Sequence, residues 1–284
     1  MKVTEAIVSF MTDCRLRGLS GKTLESYSHH LKNLSTLSKG FPPKPEVIQG
    51  FLATLNPYNA DAHFRTFRAL DNYAARRFRT RNFMKSVTRP RIPKQIMPTL
   101  SETELSLLGW RLENAPLRDK GILCLFIDSA IRKGEAANLR REDIKESIII
   151  VHGKTGYRQV PISPFVRDLL LSLPKHEDGY VFHGEGHTRY ATHRLCSTGL
   201  YKIVKKYIRM TGYKGKQPSP QMLRRSFGRF WFKQGGDVRS LQLIYGHSSP
   251  NTTLVHYAAF QSEDVAQIHQ KYTPIKVVEN ATVG

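Results

Sequence analysis

The stretch Thr88-Arg89-Pro90-Arg91-Ile92-Pro93-Lys94-Gln95-Ile96-Met97-Pro98-Thr99-Leu100-Ser101-Glu102-Thr103-Glu104-Leu105 divides the chain. Its prolines stop helices and stiffen an extended basic segment. Ser101-Glu102-Thr103-Glu104 then reads as a capping box, in which the serine hydroxyl accepts from the third helical amide and the glutamate reaches back to the serine amide. Leu100 and Leu105 flank it where a hydrophobic staple would sit. A stiff linker followed at once by a helix start predicts two domains, 1–88 and 98–284, with a basic Pro-rich linker over 89–97. The 284 residues give each domain enough chain to bury a core.

Outward to the N-terminal side, the pattern is helical. Ile7, Phe10, Met11 and Cys14 share one face of a first helix, and Leu24, Tyr27, Leu31 and Leu34 one face of a second. Pro42, Pro43 and Pro45 break the chain before a restart over 47–55. Phe64, Phe67, Leu70, Ala74 and Phe78 then stripe a fourth helix. From 65 to 94 stand ten lysines and arginines against one acid, Asp71. An ordinary charge run is a solvated helix face, but cations this unbalanced repel one another and favour a polyanionic partner.

Charge over the whole chain agrees. Lys and Arg number 44 against 23 Asp and Glu, a net charge of +21. Such a surplus serves nucleic acid, an anionic membrane or mere solubility. The longest aliphatic or aromatic run, 122–127, is far short of the roughly 20 residues that cross a bilayer. Thr4, Glu5, Thr12, Asp13 and Arg15 occupy the place of a signal peptide's apolar region, so a cytoplasmic protein without membrane attachment is expected. Cys14, Cys124 and Cys196 are odd in number and far apart, which excludes a disulfide framework and a CxxC metal site.

Outward to the C-terminal side, the pattern is mixed. A buried helix near 121–130 leads into Ala130-Ile131-Arg132-Lys133-Gly134-Glu135 and a helical turn ending near Leu139. The runs 147–152 and 157–162 flank Gly153-Lys154-Thr155-Gly156, an antiparallel hairpin with a lysine at its tip. Helices are expected near 164–173, 191–211, 219–235, 238–245 and 262–272. The fold class is therefore mainly α with a small antiparallel sheet in the second domain.

Gly153-Lys154-Thr155 looks like the end of a phosphate-binding loop. That motif needs a glycine where Ile148 stands and a helix after the lysine, and strand residues follow instead. His183, His187, His193 and Cys196 match no zinc spacing and read as a histidine-bearing surface loop.

Four elements remain: Ala130-Ile131-Arg132-Lys133-Gly134-Glu135; Lys154 on the hairpin tip; Met222-Leu223-Arg224-Arg225-Ser226-Phe227; and Tyr245-Gly246-His247 followed by Thr252-Thr253 and Tyr257. In order and spacing they resemble the catalytic domain of the tyrosine recombinase/integrase family, and the N-terminal helices and basic linker are similar to its core-binding domain. Taken singly, Arg132 also fits a helix-end cation, Lys154 a turn lysine, Arg224 a basic face and Tyr257 a core tyrosine. The set in this order is what argues for a site.

The chemistry asks for these residue types. Breaking a DNA strand without hydrolysis needs a nucleophile that holds the phosphate covalently, as a tyrosine hydroxyl can. Negative charge gathers on the non-bridging oxygens, which suits permanently charged, bidentate arginines. The leaving 5′-oxygen needs a proton, which a lysine can supply. The resemblance implies that Arg132 and Arg224 clamp the scissile phosphate, Lys154 is the general acid, His247 orients the phosphate and Tyr257 attacks. Glu135 matches an acidic position that orients its neighbours.

Two departures stand out. Gln221 occupies the place of the family's histidine in the second arginine box, and glutamine cannot shuttle a proton near neutral pH. Tyr257 lies ten residues after His247, one later than the commoner spacing, where His256 stands.

The resemblance further implies a C-shaped clamp of two domains on double-stranded DNA, and a homotetramer on two duplexes. It implies 3′-phosphotyrosyl intermediates, a Holliday junction, and no need for cofactor, ATP or metal. A nucleoid-associated location and an accessory directionality factor are compatible with it. The arm-site domain of some phage integrases is not expected here. DNA contacts are expected from Arg65, Arg68, Arg76, Arg77, Arg79, Arg81, Lys85, Arg89, Arg91 and Lys94, and from Lys202, Lys205, Lys206 and Arg225 of the second domain. The competing reading is a catalytically silent or nicking-only DNA-binding protein on the same scaffold, with Gln221 as its first sign.

Overall fold

In the computed structural model, which describes residues 1–93, 97–153, 156–184 and 193–254, the periodic stretches fold as helices. The chain divides into two compact units, Met1–Gln95 and Ile96–Gly284.

The first unit holds α1 (Val3–Leu16), α2 (Gly21–Leu37), α3 (Pro45–Ala53) and α4 (Pro57–Phe78), followed by a 3-10 turn over Phe83–Ser86. Ser20 and Asn56 cap α2 and α4 by accepting from the amides of Thr23 and Asn59. Phe10, Leu31, Leu34, Ile48, Phe64, Phe67 and Leu70 meet in one core. The single acid of the basic run, Asp71, is buried there. Its carboxylate accepts from the amides of Phe83 and Met84 at 3.0 and 3.1 Å, which folds the chain back after α4. Burial raises the Asp71 pKa, and these two amides oppose the rise.

His30 of α2 meets α4, with Nδ1 2.8 Å from the Thr66 hydroxyl and its ring 4.2 Å from that of His63. Burial, then the neighbouring His63, His29 and Arg65, pull its pKa down to about 4.

The second unit holds α5 (Glu102–Glu113), α6 (Leu117–Ser129), α7 (Lys133–Ala137), β1 (Ile148–Gly153), β2 (Gly156–Pro161), α8 (Pro164–Leu171), α9 (Ser197–Met210), α10 (Pro220–Lys233), α11 (Val238–Tyr245) and α12 (Pro250–Leu254). The capping box forms as read: Ser101 Oγ accepts from the Glu104 amide, and Glu104 accepts from the Ser101 amide at 2.7 Å. Leu100 and Leu105 join the same core cluster, as a staple requires. The strands pair antiparallel, with Val151 opposite Arg158 and Gly153 opposite Gly156. Leu108, Ile122, Phe126, Ile149, Val160, Val204 and Leu223 belong to the main core. Ala130, Phe232, Leu241 and Tyr245 form a smaller cluster under the α10–α11 corner. The expected fold class, mainly helical with a small antiparallel sheet, is the observed one. Among the described residues, no helix is long and apolar enough to cross a membrane.

Two expectations need correction. The helix expected over 191–211 begins only at Ser197, because Arg194 bridges His183 and the Leu195 amide donates to the Phe182 carbonyl. His183, expected on a surface loop, is 3% exposed, stacks on His176 at 3.5 Å and bonds Asp178. The helix expected over 262–272 lies outside the described residues.

Candidate active site

The site is built on a left-handed turn. α6 ends at Ala130 with φ 51°, a conformation that costs a non-glycine residue about 1–2 kcal/mol. That turn presents the Ala130 carbonyl inward and starts α7 three residues later, with Arg132 at its N-cap. Glu135 faces back over the first turn, and its Oε2 accepts from the Arg132 amide at 2.7 Å. Its Oε1 pairs with the Arg132 guanidinium at 2.9 Å. The Arg132 side chain remains 43% exposed, with its other Nη 3.5 Å from the Gly246 carbonyl.

Arg224 comes from the opposite direction, on α10, and is 1% exposed. One Nη donates to the Ala130 carbonyl and the other to the Tyr245 carbonyl at 2.6 Å. Its guanidinium carbon lies 4.1 Å from the centre of the Tyr245 ring. Burial first, and then the charge of Arg132, pull its pKa down to about 9, which leaves it charged at neutral pH.

Tyr245 returns the contact by donating its hydroxyl to the Arg224 carbonyl, and burial pushes its own pKa up. A fully buried, protonated tyrosine is a poor nucleophile, so Tyr245 is unsuited to that part.

α11 closes the site. Gly246 takes the left-handed conformation that ends it, with φ +59°. A Cβ there would lie 2.5 Å from Arg158 Cδ, so glycine is needed for both space and backbone. The next residue, His247, is half-buried, with Nε2 3.3 Å from Arg224 Nη2 and Nδ1 2.9 Å from the Thr253 hydroxyl. Gln242 donates to the His247 carbonyl at 2.9 Å and fixes the turn.

The motif reading passed over Arg158. From β2 it donates to Glu135 Oε2 at 2.8 Å and to the Ile244 carbonyl. Burial alone would raise the Glu135 carboxyl, but the Arg132 amide and the guanidiniums of Arg158 and Arg132 hold it below its ordinary value. One signal existed in the sequence: strand alternation puts Arg158 on the same face as the core residue Val160, and an inward cation needs a partner.

Of the expected catalytic residues, Arg132, Arg224 and His247 are thus gathered around one point. Gln221 is exposed on the first turn of α10. Lys154 and Tyr257 lie outside the described residues, as does Lys94 among the expected DNA contacts.

The other expected DNA contacts differ in kind. Arg65 and Arg89 are exposed but both pair with the buried Asp61, at 2.8 and 2.9 Å. Arg68, Arg76, Arg77, Arg79, Arg81, Lys85 and Arg91 are exposed in the first unit, and Lys202, Lys205 and Lys206 on α9. Arg225 departs from expectation: it is 9% exposed, and its Nε donates to the Pro98 carbonyl at 3.0 Å. That carbonyl lies where the chain enters the second unit, and the guanidinium supplies its partner.

A family model described as the phage integrase family matches residues 95–264. The chain belongs to the phage integrase family. The resemblance drawn from the four motifs is thereby borne out. The chain is 29% identical over 274 residues to the tyrosine recombinase XerA of Pyrococcus horikoshii, covering 90% of this chain and 92% of that protein. Its fold is similar to that of a lambda integrase dimer bound to a COC′ core site, with a TM-score of 0.73 at 19% identity, over 89% of this chain and 97% of the other. A lambda integrase tetramer bound to a Holliday junction matches with a TM-score of 0.69 at 18% identity, over 88% and 78% of the two chains. Within the phage integrase family frame, the left-handed Gly246 and the buried Arg224 belong to the segments that carried the resemblance.

Proposed function

We propose that this protein is a site-specific DNA recombinase that cleaves and rejoins duplex DNA through a 3′-phosphotyrosyl intermediate. The observation that carries the reading is Arg224. A charged guanidinium is sunk to 1% exposure on two backbone carbonyls, with Arg132 and His247 brought beside it from distant parts of the chain. Such donors are oriented before any substrate arrives, which is what stabilising a phosphoryl transition state requires.

In the proposed reaction the Tyr257 hydroxyl gives up its proton to solvent, and its oxygen attacks the scissile phosphorus and forms the ester bond to the 3′-phosphate. The bond to the 5′-oxygen breaks, and Lys154 gives that oxygen its proton. Arg132 and Arg224 take up the charge on the non-bridging oxygens. A phosphate oxygen docking beside the contact of Arg224 and His247 receives a hydrogen bond from each. Attack by a 5′-hydroxyl of the other duplex then returns the tyrosine and joins the strands. The ester conserves the bond energy, so the cycle needs neither ATP nor an added cofactor.

The exposed cations of the first unit and of α9 hold the phosphate backbone. Four copies acting on two duplexes, as in the lambda integrase tetramer, is the assembly we propose. The cytoplasm, on the nucleoid, is the proposed place of action, and an accessory protein that sets direction fits the same scheme.

The test is a suicide substrate: nicked DNA carrying the target site, located by sequencing the junctions of recombined DNA. A denaturation-resistant adduct in EDTA, mapping to Tyr257 and absent from Tyr257→Phe, is expected. Attachment at another residue, or a strict need for magnesium, overturns the mechanism. DNA binding without any adduct would favour the silent DNA-binding protein.

A further inference from the structure

Arg158 stands against the site with no part in the steps above. Its side chain is 18% exposed, and its Nε is buried with no acceptor among the described residues. Desolvating a guanidinium while leaving one donor unmatched is uphill, and burial accordingly lowers its pKa against the pull of Glu135. A residue held under those terms is held for what it arranges.

What it arranges is specific. Three segments meet on this one side chain: β2 that bears it, α7 through Glu135, and the end of α11 through the Ile244 carbonyl and the close approach of Gly246. We infer that Arg158 is a positioning residue for DNA cleavage: by occupying Oε2 of Glu135 it leaves Oε1 as the seat of Arg132, and by holding Ile244 it fixes the turn that carries His247. This rests on the recombinase reading.

Without Arg158, Oε2 of Glu135 keeps only the Arg132 amide and is open to the Arg132 guanidinium as well. That guanidinium then swings into a bidentate pair, and its charge is spent on the carboxylate rather than on phosphate. The turn at Gly246 also loses its brace. The loss therefore belongs to the charged transition state and not to DNA binding.

The experiment uses the full chain with Arg158→Met and Arg158→Lys, and measures single-turnover adduct formation at saturating suicide substrate. Two substrates are compared, one with an ordinary scissile phosphodiester and one with a methylphosphonate that lacks the negative charge. Arg158→Met is expected to slow the phosphodiester by about 10²-fold, the usual scale of a small misplacement. Most of that penalty should vanish on the uncharged substrate, and DNA affinity should hold within about twofold. Arg158→Lys, which keeps charge near Glu135 but cannot reach both acceptors, should fall between. The double variant Arg132→Ala/Arg158→Met should lose less than the product of the two single losses, because the part that acts through Arg132 is already gone and only the part that acts through the His247 turn remains.

Equal losses on both substrates, additive losses in the double variant, or an unchanged rate would each overturn the inference. If Arg158→Met does not fold, as judged by thermal unfolding, Arg158→Lys carries the same substrate comparison. Failure of the unsubstituted protein to form any adduct overturns the recombinase reading itself, and is thereby distinguished from failure of the Arg158 variants alone.

Discussion

Arginine serves the two units in opposite ways. Beside Arg224, which rests on two backbone carbonyls, Arg132 and Arg158 share the carboxylate of Glu135, so the charged groups are held by specific acceptors. Along α4 and the segment after it, Arg76, Arg77, Arg79 and Arg81 stand in solvent. A buried, directed cation costs desolvation and suits a transition state whose charge appears at one point. Exposed cations cost little and suit a polymer whose charge is spread along its length. Direction matters in the first region and number in the second, so substitutions in the two should separate chemistry from binding.

The largest effect is expected at Arg224. Arg224→Ala should lower single-turnover cleavage by about 10²–10³-fold or more, since one preorganised donor is commonly worth that much. It also strands the carbonyls of Ala130 and Tyr245, so the unfolding free energy should fall by roughly 1–3 kcal/mol for each group left unpaired. DNA affinity, read by titration, should change far less. A proportionate loss of affinity would erase the contrast.

Next in size is the joint neutralisation of Arg76, Arg77, Arg79 and Arg81. Each cation on a phosphate adds about 0.9 to the slope of log affinity against log salt, so the slope should flatten by up to about 3–4 if all four make contact. Cognate and unrelated DNA should weaken alike, and the cleavage rate at saturating DNA should stay close to that of the parent. A selective loss on the cognate site would show that this face reads bases.

A smaller change is expected at Gln221. Gln221→His should leave cleavage intact or raise it, and should shift the pH profile, because histidine adds a group titrating near pH 6.5. Abolished cleavage in a well-folded variant would give the glutamine a role of its own.

Parts of this contrast were legible in the sequence because they are local. The capping box at Ser101 and the hairpin each depend on residues a few positions apart. Arg132, Arg224 and His247 were legible through motif order. What escaped were properties that distant partners confer. Nothing near Arg225 announces the Pro98 carbonyl 127 residues away, and Asp61 lies just outside the basic run whose Arg65 and Arg89 it holds. Arg158 escaped for the same reason: its acceptors sit on α7 and α11.

The smallest effect concerns His30. Its folded pKa of about 4 lies below the ordinary 6.5, so between those values the unfolded chain binds a proton that the folded chain refuses. Stability should therefore decline as pH falls through that window. Thermal unfolding of His30→Asn should show a shallower decline, and an unchanged slope would mean that His63, His29 or another group carries it.

The mutual grip of Arg224 and Tyr245 has a consequence for how this sequence can vary. Each side chain serves the other's backbone carbonyl, so the two positions form a closed exchange between α10 and α11. A leucine at position 245 would fill only part of the space of the Tyr245 ring. It would remove the hydroxyl that the Arg224 carbonyl accepts from, leaving that carbonyl to the helix alone. A substitution at position 245 is therefore felt at Arg224 twice, at its backbone carbonyl and at the face of its guanidinium.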